Sequence, residues 1–308
     1  MSAAGTEFNP YAVQIMQTNT GIKLQDLPPE ILERMVPGES ALALSRTSKT
    51  MRAAAHAASV DLVVEARPGR KFRDGLGLLA ELNGFSPSWT LRVLRLRACD
   101  LRVAGGEALA VFLRGNTTLT ELDVGSNYLQ EDGGLVLAAA LHGNTTLTKL
   151  DIRRNVMGDR AGTNFANLLR GNSTLRCLNI GFNRLGPTAV INFAWELGLS
   201  ALRGNATLTS LCLSGNELRN GGAMALAQAL RANTTLTELD LQWTGVGMED
   251  VQELIAALGA NTTLARLDLR YLPPLGELAL QNILFYNPAL GARVLAAPRG
   301  DLDSRNAD

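Results

Sequence analysis

Along most of the chain the apolar residues keep one frame. Leucine or a close substitute takes the first, fourth, sixth and eleventh places and Asn the ninth, as in Leu119, Leu122, Val124, Asn127 and Leu129. The frame opens at Leu91, Leu119, Leu147, Leu175, Leu208, Leu236 and Leu264. Each step is 28 residues except that from Leu175 to Leu208, which is 33. Self-similarity at such a period predicts a repeat array, whose units bury their apolar faces on one another. The Leu-x-x-Leu-x-Leu half of a unit alternates like a short strand with its leucines turned inward. The other half is rich in Ala and Leu, as in Gly133–Leu141 and Gly221–Leu230, and predicts a helix whose small residues admit a close neighbour.

The polar positions recur as regularly. Arg114, His142, Arg170, Arg203 and Arg231 close the helical halves, where a cation suits the negative end of a helix dipole. Gly115, Gly143, Gly171 and Gly204 follow four of them, which predicts helix stops with φ > 0. The ninth-place residues Asn127, Asn155, Asn183 and Asn216, replaced by Cys99 and Thr244 in two units, predict a buried amide ladder bonding adjacent turns of backbone. Asn116, Asn144, Asn172, Asn205, Asn233 and Asn261 each begin an Asn-x-Ser/Thr sequon. All six stand just before the strand, which favours turn-forming bonds over glycosylation.

These patterns divide the chain. Residues 1–22 are polar and irregular and read as a disordered tail. Residues 23–58 carry two helical runs, broken at Pro37 and Gly38. Residues 59–90 read as a degenerate first repeat, with a strand at Val60–Val64 and a short helix at Asp74–Leu82. The regular array spans 91–290, and 291–308 reads as a C-terminal tail. The last unit has Tyr271-Leu272-Pro273-Pro274-Leu275 in place of the Asn turn, and Asn287–Leu290 opens a unit left incomplete. That is the form of a terminal cap.

The period of 28 with Asn or Cys at the ninth place is similar to the leucine-rich repeats of the ribonuclease-inhibitor type, over about residues 91–290. Such repeats also occur in nucleotide-binding immune receptors and in activators of small GTPases. The resemblance implies an α/β solenoid, a horseshoe with parallel strands on the concave face and helices on the convex one. Upstream, Leu27-Pro28-Pro29-Glu30-Ile31-Leu32 and Leu42-Ala43-Leu44-Ser45-Arg46-Thr47-Ser48-Lys49-Thr50-Met51 resemble the two halves of an F-box. Two departures stand out: the middle is shorter than in that family, and Met51 stands where the family often has Trp. The resemblance implies docking on a Skp-type adaptor of cullin–RING ubiquitin ligases through Leu27, Pro28, Ile31, Leu32, Leu42, Leu44 and Met51. The same helices could instead serve only as a cap over the first repeat.

Composition narrows the classes of function. The 308 residues include 29 basic and 29 acidic ones, so no general attraction to nucleic acid or an anionic membrane is expected. No apolar run nears the ~20 residues that span a bilayer. The first residues lack a secretory signal pattern, and three cysteines do not form a disulfide framework. An intracellular, cytoplasmic chain is expected, which includes one delivered into a host cell. His56 and His142 have no partners at metal or triad spacing. Asp123, Asp151, Asp240 and Asp268, with Asn179, predict a ladder along the sheet and read as periodic acids rather than acid–base pairs. No catalytic, cofactor or metal residues are assigned, and an enzyme is not expected.

Binding chemistry is expected at outward strand positions, which the core does not constrain. Arg95, Arg97, Arg153, Arg154, Phe182, Trp243, Arg270 and Tyr271 are the candidates for a protein partner on the concave face, since aromatics and Arg dominate interface hot spots. The rings could equally pack on one another. The five extra residues before Leu208 are expected to lengthen the helical side of one unit. Together these features predict a substrate-recognition subunit of a ubiquitin ligase. The alternative is a free-standing scaffold or regulator with no ligase link.

Overall fold

In a computed structural model, the described residues are 61–65, 90–199, 205–286 and 291–295. The F-box-like segment, the tail 1–22, the helix expected at Asp74–Leu82, Arg203 and Gly204 lie outside them. Nine strands form one sheet in chain order: β1 (Asp61–Glu65), β2 (Thr90–Arg95), β3 (Glu121–Asp123), β4 (Lys149–Asp151), β5 (Cys177–Asn179), β6 (Ser210–Cys212), β7 (Glu238–Asp240), β8 (Arg266–Asp268) and β9 (Val294–Leu295). Every neighbouring pair is parallel. Parallel neighbours need a crossover. Seven helices supply it from β2 onward: α1 (Arg102–Gly115), α2 (Gln130–Leu141), α3 (Gly158–Leu169), α4 (Pro187–Ala194), α5 (Arg219–Ala232), α6 (Met248–Ala260) and α7 (Pro274–Tyr286).

Repetition fixes the register. Leu94, Leu122, Leu150, Leu178, Leu211, Leu239 and Leu267 pair in turn, and all seven are fully or almost fully buried. A slip of one residue would turn this row to solvent. The strand half therefore leaves its third and fifth places facing outward on the concave side. The helices pack beneath at close range where glycine permits it. A Cβ added to Gly106 of α1 would stand 2.7 Å from the Gly133 Cα of α2.

Asparagine makes the joints. The Asn127 Oδ1 accepts the Cys99 N–H at 2.8 Å, while its Nδ2 donates to the carbonyls of Leu96 and Val124 at 2.7 and 2.8 Å. Asn155, Asn183 and Asn216 repeat the pattern, so the expected amide ladder is present. The sequon asparagines also have structural work. The Asn144 Oδ1 accepts the Thr146 and Leu147 N–H groups, and its Nδ2 donates to the Asn116 carbonyl one repeat earlier. Such a nitrogen, on a residue only 8% exposed, is not presented to a glycosylating enzyme.

Two expectations change. Gly115, Gly143 and Gly171 are not among the residues with positive φ. Asn116, Asn144 and Asn172, which follow them, accept the N–H groups two and three residues on and so shape the turn into the next strand, and an added Cβ at these glycines meets nothing within 4 Å. The residues after 290 are not all tail, because β9 pairs with β8. Arg293 precedes β9 and donates to the carbonyls of Leu264, Leu258 and Asn261 at 2.7, 3.0 and 2.8 Å. One guanidinium thus bonds the Leu258 and Asn261 carbonyls, the counterparts of the Leu230 and Asn233 carbonyls that the Asn261 side chain bonds one repeat earlier.

Of the long repeat, residues 200–204, on which the expected lengthening of the helical side largely falls, lie outside the described residues. After α4 the chain widens into a π-helical turn, Trp195–Leu199. Glu196 in that turn is 2% exposed and accepts the Arg170 guanidinium at 2.6 Å.

Candidate functional site

Two rows of side chains run across the concave face. The third strand places carry Val93, Glu121, Lys149, Cys177, Ser210, Glu238 and Arg266 in register. The fifth places carry Arg95, Asp123, Asp151, Asn179, Cys212, Asp240 and Asp268. The expected acidic ladder is therefore real, with Asn179 and Cys212 interrupting it between Asp151 and Asp240.

Carboxylates of the two rows answer most of the candidate arginines. Arg95 bridges to Glu121 at 2.8 Å, Arg153 stands 3.3 Å from Asp151, and Arg270 bonds the nearly buried Asp268 at 2.9 Å. Burial raises the Asp151 carboxyl above its usual range, and the Arg153 charge works against that rise. Arg97 also lowers it. Arg153 and Arg97 thus act on the ladder at Asp151, Arg95 pairs with Glu121 of the other row, and Arg154 does something else.

The ladder also holds down its thiol. Cys212 donates to the Asp240 Oδ2 at 3.3 Å and lies 3.0 Å from the Ser214 hydroxyl. Burial, with the Asp240 charge added, pushes its pKa up to about 12. Burial likewise pushes Cys99 up to about 11. Thiols so disposed are poor nucleophiles and poor metal ligands at neutral pH. Among the described residues, no group of three or more His, Cys, Asp or Glu is arranged to hold a metal ion. Nor is any helix there long and apolar enough to cross a membrane.

Phe182, Trp243 and Tyr271 do not stand on the strands. Each lies in the turn that follows, at the eighth place of its unit. There the backbone is left-handed in every unit, from Ala98 (φ 56°) and Ser126 (φ 59°) to Trp243 (φ 56°) and Tyr271 (φ 62°). This conformation is unusual for a side-chain-bearing residue, and it gives the eighth-place side chains a common setting from unit to unit. The Arg154 guanidinium lies over the Phe182 ring, 5.1 Å from its centroid. The Phe182 ring in turn covers Gly215, where an added Cβ would collide with it. Trp243 stacks on Tyr271 with centroids 4.2 Å apart and planes 12° apart. The rings do pack on one another, yet Trp243 remains 45% exposed. A stripe from Arg154 to Tyr271 results, along the edge where the strands end.

The sequence named all the stripe's large side chains but not their order of contact. Gly215 was the missed member. Its signal was a glycine in the one unit whose neighbour carries Phe at the same place.

Five stretches, residues 115–138, 143–166, 171–194, 204–227 and 232–254, match the family profile described as Leucine Rich repeat. With a single parallel sheet backed by helices, they define a leucine-rich-repeat solenoid. Among solved structures, the leiomodin-1 actin-binding site 2 aligns at 18% identity and a TM-score of 0.43, over 59% of this chain and 95% of that one. The C-terminal domain of tropomodulin from Caenorhabditis elegans aligns at 19% identity and a TM-score of 0.43, over 51% and 92%. No curated protein matches the chain in sequence.

Proposed function

We propose that this chain is an intracellular protein-interaction module that captures a protein partner on its concave face and on the adjoining turns. The observation that carries this reading is the exposed Trp243, stacked on Tyr271 in the turns that follow β7 and β8. A large ring that the fold does not need to bury, already ordered by its neighbour, loses little freedom when a partner covers it.

The finer proposal is a substrate-recognition subunit of a cullin–RING ubiquitin ligase, of ribonuclease-inhibitor-type repeats. Its support is the F-box-like sequence from Leu27 to Met51 upstream of a repeat array, and the persistence of Asn at the ninth place. In this arrangement Leu27, Pro28, Ile31, Leu32, Leu42, Leu44 and Met51 hold the Skp-type adaptor, and the array holds the target.

Affinity capture with the full chain tests both levels. Leu27→Ala/Ile31→Ala should lose the adaptor and keep the target, whereas Trp243→Ala/Tyr271→Ala should do the reverse. Capture of a target without any adaptor or cullin by the unaltered chain would replace the ligase reading with that of a free-standing scaffold or regulator.

A further inference from the structure

The partner's chemistry is written in the stripe. We propose that the stripe from Arg154 to Tyr271 binds an extended protein segment that is acidic at one end and apolar or aromatic at the other. This rests on the reading of the chain as a protein-interaction module and specifies what that surface selects.

The stripe has two unlike ends. At one, Arg154 lies over Phe182, and Arg184 is exposed two residues beyond that ring. Among the described residues no carboxylate forms an ion pair with Arg184. Other turn arginines are answered locally: Arg102 by Asp100 at 2.9 Å and Arg219 by Glu217 at 3.1 Å. The charge of Arg184, two residues after Phe182, is therefore answered by no described carboxylate. At the other end, Trp243 and Tyr271 offer a stacked face, and the neighbouring Arg270 is already engaged with Asp268. Carboxylates are favoured at the first end and an apolar side chain at the second.

Length fits a peptide. Arg154, Phe182, Gly215, Trp243 and Tyr271 follow five successive strands, so four strand spacings separate the ends, about 19 Å. An extended segment of about six residues covers that distance. Gly215 helps to keep the path open. Its φ of +63° and missing side chain let Phe182 lie flat, where a larger residue would push that ring away from its seat.

Arginine beside aromatic rings also suits single-stranded nucleic acid. The neighbouring ladder decides against it. A polynucleotide carries a phosphate at every residue and would run its charge past Asp240 and Asp268, which adjoin the aromatic end. A peptide can place its carboxylates only at the end where Arg184 stands.

The test uses the full chain and fluorescein-labelled probes, followed by anisotropy. One probe has three Glu, a Gly-Ser spacer and Phe-Leu-Phe. A second has Lys in place of Glu, a third has Ala in place of the apolar residues, and a fourth is a short oligothymidylate. The first should bind saturably, and the second and third at least tenfold more weakly. Arg154→Ala/Arg184→Ala should weaken the first probe about tenfold and flatten its salt dependence. Trp243→Ala/Tyr271→Ala should weaken it about as much and leave the salt dependence intact. Val111→Ala/Arg114→Ala on the convex face should change neither. The proposal is overturned if the first probe does not saturate, if the Lys probe or the oligonucleotide binds as well, or if the stripe variants match the convex control. Target capture by the full chain, repeated with Glu121→Arg/Glu238→Arg, separates the two levels. If capture is lost there while the probes fail, the interaction module stands and only the stripe's chemistry falls. If capture also survives these changes, the concave-face reading falls with it.

Discussion

The side-chain carbonyl of Asn155 accepts the backbone N–H of Asn127, 28 residues earlier, at 2.9 Å. The same side chain donates to the carbonyls of Val124 and Ile152, both at 2.9 Å. One buried amide therefore serves two consecutive repeats. Asn155→Ala should cost about 3 kcal/mol, because it leaves buried backbone donors and acceptors unmatched. Urea unfolding with an unchanged slope would measure it.

The ladder falters at Thr244, whose short hydroxyl bonds only the nearby Leu241 carbonyl. Thr and Asn are similar in volume, and the site is 2% exposed. Thr244→Asn is expected to extend the ladder toward the Asn216 turn and to stabilise the chain by about 1 kcal/mol. A lower urea midpoint would show that the pocket rejects the amide.

Glycines in helix α1 should respond in opposite directions. Gly106→Ala places a methyl group against the Gly133 backbone, so it should destabilise the chain even though Ala is the better helix former. Gly115→Ala meets nothing within 4 Å and needs no left-handed φ, so it should stabilise by about 1 kcal/mol. Thermal unfolding of the two variants side by side checks the contrast.

Asp240 gives a pH signature. Burial raises its carboxyl above the usual range, with the Gln242 N–H partly opposing the rise. The folded state then holds a proton that the unfolded state has released. The group's contribution to stability is complete below its ordinary pKa of about 3.8 and is lost as pH rises through the higher folded value. Asp240→Asn should therefore be more stable than the parent at neutral pH, and the difference should shrink below about pH 4. Urea midpoints across that range decide it.

Thiol labelling should sort the cysteines. Cys99 and Cys212, pushed up to about 11 and 12, carry little thiolate at pH 8. Brief N-ethylmaleimide treatment of the native chain should mark Cys177, which is partly exposed on β5, well before the other two. Peptide mass spectrometry gives the order, and early modification of Cys212 would contradict the hold of Asp240 on its thiol.

The sequence by itself determined the solenoid. A frame that returns every 28 residues can bury Leu122 only by stacking it on Leu150, and an Asn at every ninth place has backbone to satisfy in the same way each time. Repetition turns one local rule into long-range register, so strands, helices and the acidic ladder were all legible before any coordinates. Tertiary structure decided what repetition does not specify. Whether Arg153 pairs with the ladder while Arg154 turns to Phe182 depends on which neighbour each side chain meets, and adjacent residues with the same letter gave no way to tell. Arg293 bonding the carbonyls at the last joint, and the buried Glu196 pairing with the exposed Arg170, arise where the period breaks and sequence has no copy to compare. The left-handed turn at the eighth place settled the site. It takes Phe182, Trp243 and Tyr271 off the strands and gathers them into one stripe, because a backbone angle that recurs in every unit directs side chains that do not.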